Sequence, residues 1–285
     1  MKTSSINKKS SFFSFKLIKI IAAIFIGLYL IIWAISSPLS KHFIEPVLLE
    51  QGLTVSPDTS IYYNPFLSQL TVSDLTLYTS DNSQQEKVFS VNKLTVRLTL
   101  YRILFDEIVV SEFDLNDAYL KVEKTATQLI VAGVDLNKES EETPPKEEIE
   151  TEPQPFNFQV ILPRLALNKF SIDINNEDKP HLINIKELII SKVTADLTSQ
   201  QALLSLDSTI DDTVLKLTAD ASLSQGQGDI NSQLSITNYP IKRLQRYAED
   251  LTELSGSLSL DTKQKITLGE DTLNLHITKA NITFI

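Results

Sequence analysis

One apolar spacing returns six times in this chain: two alternating hydrophobics, a two-residue step, then two more. It reads Leu70-x-Val72-x-x-Leu75-x-Leu77, Phe89-x-Val91-x-x-Leu94-x-Val96 and Ile108-x-Val110-x-x-Phe113-x-Leu115 in the first half. It reads Leu165-x-Leu167-x-x-Phe170-x-Ile172, Ile183-x-Ile185-x-x-Leu188-x-Ile190 and Leu275-x-Ile277-x-x-Ala280-x-Ile282 in the second. Period-two alternation predicts strands with one buried face. The extra residue at the centre shifts the side-chain phase, as a β-bulge or a sharp twist does. The uniformity points to a surface built of strands rather than to a reaction vessel.

Charge is unevenly placed along the 285 residues, whose formal net charge is −10. Residues 1–44 hold six lysines (2, 8, 9, 16, 19 and 41) and no acidic residue. Of 26 basic residues in all, 20 remain to face all 36 acidic ones, so the body of the chain carries −16. Such a body repels phosphate backbones, and nucleic acid is excluded as a partner. Cysteine is absent, which excludes disulfides, thiolate catalysis and thiolate metal sites together.

Leu17 to Ile35 reads as a membrane anchor. No residue from Ile20 to Ile35 is charged, with Ile24 and Leu28 at its centre and Lys19 near one end, where it can snorkel. At ~1.5 Å per residue the segment spans about 28 Å, close to the ~30 Å hydrocarbon core. Tyr29 and Trp33 lie towards the far interface, and the upstream lysines favour a cytoplasmic N-terminus. A cleaved signal peptide, with Ala34 and Ser36 before the cut, is the competing reading. The length of the apolar run and its lack of a compact cleavage region favour the anchor.

The expected organisation is a stub and anchor over 1–36, a β segment over 37–137, an acidic loop over 138–155 and a second β segment over 156–285. Pro38 to Gln51 carries helix signals, with Gly52 as a stop. Strands are expected at 68–79, 87–99, 107–124, 127–133, 157–175, 181–197, 202–210, 213–223, 228–237, 256–267 and 271–284. Seven glutamates and four prolines between Lys138 and Pro155 predict a solvated connector. Leu70–Val96 and Leu165–Ile190 align as imperfect copies. Pro240 and the stripe Ile241, Leu244, Leu251 and Leu254 predict a capping helix over 241–254.

Chemistry is scarce. His42, His181 and His276 lie far apart without ligand spacing, and no phosphate-cradling glycine loop or nucleophile elbow occurs. Asp211-Asp212 and Gly226-Gln227-Gly228 read as hairpin turns, and Asn64-Pro65-Phe66 as the turn into a strand. Asn281-Ile282-Thr283 is a glycosylation sequon inside an expected strand. No cofactor, metal site or catalytic group is expected.

Several of these segments in this order resemble the AsmA-like superfamily of bacterial envelope proteins, in particular its domain-of-unknown-function branch. They are the anchor, the helix after it, Asn64-Pro65-Phe66 leading into Leu70–Leu77, Val91–Leu100, the apolar turn Tyr101–Phe105, the strand Glu107–Val122, and Tyr239–Tyr247 before Leu254–Leu260. The resemblance implies a mainly β protein: an N-terminal transmembrane helix, then a long twisted antiparallel sheet curled into a groove. It also implies a bacterial inner-membrane location with the bulk of the chain in the periplasm. The implied role is non-catalytic handling of phospholipid between membranes, or support of outer-membrane integrity. Acyl chains would lie on Val72, Leu77, Val91, Val96, Val110, Leu115, Leu167 and Ile185 or on their phase partners, and sequence alone leaves the face open. The alternative is a tethered structural or protein-interaction module with no lipid cargo, its apolar face serving as core and its acidic loop or sheet edge binding envelope proteins. A sheet of eleven strands at ~4.8 Å spacing extends roughly 50 Å, short of a bridge across an envelope.

Overall fold

A computed structural model describes residues 38, 42–79, 85–125, 127–137, 158–176, 180–242, 255–270 and 272–285. Residues 42–50 are helical, and Gly52, at φ +74°, follows them into the first strand. Fourteen strands then form one sheet. The first half contributes β1 (Leu53–Val55), β2 (Ser60–Asn64), β3 (Gln69–Thr79), β4 (Lys87–Leu98), β5 (Glu107–Lys124), β6 (Leu129–Val131) and β7 (Val134–Asp135). The second half contributes β8 (Gln159–Asn176), β9 (Pro180–Ala195), β10 (Ser199–Ile210), β11 (Thr213–Ser224), β12 (Gln227–Pro240), β13 (Ser257–Leu268) and β14 (Leu273–Phe284).

The spatial order is β1-β3-β4-β5-β8-β9-β10-β11-β12-β13-β14, with β2 beside β3 and the β6–β7 hairpin beside β5. The two ends of this path do not meet, so the sheet is open. The halves expected as separate β segments share it without a break. The expectation of a purely antiparallel sheet is corrected at the join, where β5 and β8 run parallel from Glu107↔Gln159 to Lys124↔Asn176. A parallel pair needs a crossover of about a dozen residues or more, and the stretch between Asp135 and Gln159 supplies that length.

The expected span Leu17–Ile35 and the acidic connector 138–155 lie outside the described residues. Among the described residues no helix is long and apolar enough to cross a membrane. The capping helix expected over 241–254 falls almost wholly outside them too. Ile241 and Lys242, at its start, take 3-10 geometry, and Tyr239 and Pro240 just before them end β12, opposite Leu258 and Ser257. Pro240 is tolerated there because it is the last residue of its strand, where the ladder is already ending.

Each of the six recurrent steps leaves one residue out of the ladder: at Ser111, Lys186 and Thr278 the register shifts as at a bulge, and at Asp74, Asn92 and Lys169 unpaired residues stand opposite one another without a shift. On β3 and β4, pairing passes from Ser73↔Lys93 to Leu75↔Val91, leaving Asp74 and Asn92 opposite each other and unpaired. The same gap continues to Asp117 on β5, Lys169 on β8 and Lys186 on β9. One inserted residue is therefore aligned across five strands. The line ends where β10 has no counterpart to Lys186. A second, shorter line joins Ser111, Pro163 and Lys192, which gives Pro163 a place within a strand where no ladder donor is required. Thr278 is a bulge on β14 alone. Asp74, Asp117 and Lys169 reach this geometry with φ of 53°, 54° and 54°. Bulges bend a strand and increase its twist, so the longer line works as a crease in the sheet.

The best-packed corner lies at the start of β4. The β6–β7 hairpin folds over this end of the sheet to reach β1, placing Gly133 against Leu53 and Val88, which are 2% and 3% exposed. Gly133 has φ +83°, and a Cβ on it would stand 2.8 Å from Leu53 Cδ2, so the contact requires glycine on both counts.

Candidate functional site

Residues directly opposite one another in a ladder project from the same face of a sheet. Val72, Leu94, Leu115 and Leu167 form one such row across β3, β4, β5 and β8. Leu188, Leu206, Leu217 and Leu234 carry it on across β9 to β12, and it finishes at Thr262 and Ala280. A parallel row begins Leu75, Val91, Ala118, Phe170 and Ile185, and ends Leu215, Ile236, Leu260 and Ile282, with Ser208 as its one polar member.

These two rows lie on either side of the main crease. On β10 to β12 their members are two residues apart, hence on one face; on β3 to β9 they are three apart. The inserted residue absorbs the difference. The bulges thus shift sequence parity while keeping every apolar row on a single face. By the same ladders Val72, Leu77, Val91, Val96, Val110, Leu115, Leu167 and Ile185 all share that face.

The opposite face is polar. Ser73, Lys93, Asn116 and Asn168 stand in a row that continues through Glu187, Asp207 and Lys216. Here Arg164 pairs with Asp114 at 2.9 Å, Asn168 donates to Asn116 Oδ1 at 3.0 Å and Lys216 reaches Asp207 at 3.4 Å. Tyr119 donates to Asp173, and burial followed by the Asp173 charge raises its phenol above the ordinary value. Burial opposes the charge on Lys121, but the hydrogen bonds it donates to Glu123 and Glu86 outweigh it and raise the ammonium's pKa. Asp229 is held below the ordinary carboxylate value by Lys265 at 2.9 Å, then by Thr267 at 2.8 Å.

Nothing among the described residues is packed as a second layer on the apolar face. Every substantial contact between elements runs between sheet neighbours or from the 3-10 helix Leu100–Phe105 to the strand after it. Among the described residues six hydrophobic ones are buried. Three of them, Val72, Val91 and Ala118, flank the crease on the apolar face, where small side chains are overtopped by taller neighbours such as Phe170. The larger members of the rows are half-buried on inner strands. On β14 they stand free, with Leu275 at 56%, Ile277 at 52% and Ile282 at 58% exposure.

A second apolar patch forms at the apolar turn Tyr101–Phe105, which the sequence showed as a turn but not as an exposed surface. The 3-10 helix exposes Tyr101, Leu104 and Phe105, close to Phe66 and Leu67 in the β2–β3 turn, which Leu98 joins by donating to Ser68. Asn64 Oδ1 shapes that turn by accepting from the amides of Phe66 and Leu67. A six-residue apolar run beside a strand has no periodicity of its own, although its composition was visible.

Catalytic groups do not converge. Asp211 turns the β10–β11 hairpin at φ 53°, accepts from the Leu182 amide at 2.9 Å and lies 3.0 Å from His181 Nδ1. That arrangement fastens a turn. His276 sits on the polar face of β14, far from either. Among the described residues no three acidic or histidine side chains group as metal ligands.

The chain matches no protein-family model and no curated protein. What defines the site is its own geometry: a long, creased sheet whose apolar face no other described element covers.

Proposed function

We propose that this protein is anchored in the bacterial inner membrane and presents its sheet to the periplasm as a groove for phospholipid acyl chains, without catalysis. The observation that carries this reading is the pair of apolar rows across ten strands, each with a single hydroxyl residue (Thr262 or Ser208), on a face that no second layer covers among the described residues. A water-soluble protein core would bury such rows against another element. Here each row offers a continuous strip, and sheltering one side-chain-sized apolar group contributes ~1.5–3 kcal/mol. A chain of methylenes laid along the strip gains at many positions without needing a polar contact.

The crease supports the same reading. Its apolar flank carries the small residues Val91 and Ala118, with the taller Phe170 and Ile185 next along the same row. The resemblance to AsmA-like envelope proteins supplies the location and the direction of the idea: lipid handling between membranes, or maintenance of the outer one.

The test is photo-crosslinking in living cells with the full chain. A benzophenone amino acid replaces Leu206, on the apolar face, or its neighbour Ser205, on the polar face. Phospholipid adducts at 206 and none at 205 are expected. Protein adducts at 206 without lipid would replace the proposal by a tethered interaction module.

A further inference from the structure

We propose that the corner of the sheet where the β2–β3 turn meets the 3-10 helix Leu100–Phe105 is a docking surface for a lipid bilayer, the one in which the chain is anchored. The proposal rests on the reading of Leu17–Ile35 as an anchor and does not require lipid on the apolar face.

The corner is exposed and nearly without charge. Leu104 is 83% exposed, with Leu67, Tyr101 and Phe105 exposed beside it, and no residue of the 3-10 helix is buried. From Thr59 to Ser73, through β2, its turn and the start of β3, no residue is charged, although 22% of the chain is. Between Leu98 and Phe105 the one charge is Arg102, which is paired with Glu107. A sheet edge that faces water ordinarily carries charge, lysine above all, which keeps other strands off. Here β2, whose one neighbour among the described residues is β3, carries none.

The route of the chain says what covers this corner. Seven peptide steps separate Ile35, at the end of the expected anchor, from His42, and fully extended they reach about 25 Å. The helix 42–50 exposes Phe43 and Val47, four residues apart on one side, and leads directly to β1. The tether thus delivers the first edge of the sheet, β1 and β2, to the membrane surface. β1 pairs with the Thr79 end of β3, and the β2–β3 turn lies at its Gln69 end, about 33 Å away along the strand. That edge therefore has an apolar foot at each end, the helix at one and the corner at the other.

The charges select a bilayer as the occupant. The body of the chain beyond residue 44 carries −16 and is held off an anionic lipid surface, so contact needs a neutral corner such as this one. Tyrosine settles at the boundary between headgroups and acyl chains, its ring in the apolar layer and its phenol in water, and phenylalanine and leucine bury beside it. A soluble protein would have to reach a corner that the tether keeps against the membrane. The corner also adjoins the apolar face, because the ladder row Tyr63, Leu70, Val96, Phe113 and Leu165 starts next to it on β2. Docking brings that end of the strip to the lipid.

The chain has no cysteine, so a single introduced thiol carries a nitroxide label at one site. The full chain is placed in nanodiscs of phosphatidylethanolamine and phosphatidylglycerol. Labels go at Ile24→Cys in the expected anchor, at Leu67→Cys or Leu104→Cys in the corner, and at Ser224→Cys, exposed at the end of β11. Relaxation by oxygen, which concentrates in lipid, is compared with relaxation by a nickel chelate, which stays in water. Oxygen should dominate several-fold at 24, 67 and 104, and nickel at 224. With Leu104→Glu and Phe105→Glu added, the label at 67 should return to water while the β-sheet circular dichroism stays unchanged, since neither residue is buried. A lipid signal at 24 with nickel dominant at 104 overturns the proposal and leaves the anchor standing. Labels at 24 and 104 both in water remove the anchor and the proposal with it. Shelter from both relaxants at 104 assigns the corner to a protein contact, and that overturns the proposal as well.

Discussion

Lys169 offers a position where two rules of β structure predict opposite orders of stability. It is exposed on the polar side of the crease, makes no ion pair within 4 Å among the described residues and holds φ at 54°. Intrinsic strand preference ranks Val above Lys above Gly over a span of about 1 kcal/mol. The left-handed backbone reverses that ranking. A non-glycine residue there costs ~1–2 kcal/mol, while glycine gives back roughly 0.5–1 kcal/mol through its more flexible unfolded state. Lys169→Gly should therefore gain about 0.5–1 kcal/mol, and Lys169→Asn a smaller amount, since Asn tolerates this region. Lys169→Val should lose roughly 1–2 kcal/mol, because a β-branched side chain is a true outlier at positive φ. Hydrogen exchange at the flanking amides of Asn168 and Phe170 reads the local opening energy, with thermal melts of the full chain beside it. A Val variant as stable as the parent would refute the crease as described, and with it the single-face assignment of the apolar rows.

Two further outcomes follow from the packing and the charges. Leu53→Ala should cost ~2–5 kcal/mol as a large-to-small change at a buried site. Gly133→Ala adds ~1–2 kcal/mol of left-handed strain besides its clash with Leu53, so the double variant should cost less than the sum, as exchange in β1 and β6 would register. Asp229 titrates below its ordinary 3.8 in the folded chain because of Lys265 and Thr267. A depressed carboxylate adds stability above 3.8 that is lost as pH falls through its lower folded value, so the β12–β13 pair should loosen in acid and Asp229→Asn should flatten that dependence. Exchange rates across β12 and β13, referenced to the intrinsic pH dependence of exchange, decide the matter.

Much of the sheet was legible because its strands are long and its periodicity is strict. Glu107–Lys124 was bounded to the residue, and the recurrent step was an accurate sign of the residues left out of the ladder. The step could not tell which face it served, because a bulge and a true phase change look alike until a neighbouring strand supplies the register. Asp117 was missed since Ala118 is too small to mark the spacing. β1 has only three residues and β2 five, too few for a pattern. The parallel step from β5 to β8 is set by the route of the intervening chain, which local periodicity does not encode. For the candidate site, sequence supplied eight residues of the apolar face, and the ladders supplied their common side.

A sheet one layer deep has a thermodynamic consequence. Among the described residues each strand leans only on those beside it, so folding free energy is close to a sum of nearest-neighbour terms along one axis, as in repeat proteins. Disruption should then travel as a zipper opening from the β14 side, where the side chains are least sheltered, towards the corner fastened by Leu53 and Gly133. Partial unfolding would shorten the strip rather than abolish it, and a bound ligand would oppose the opening.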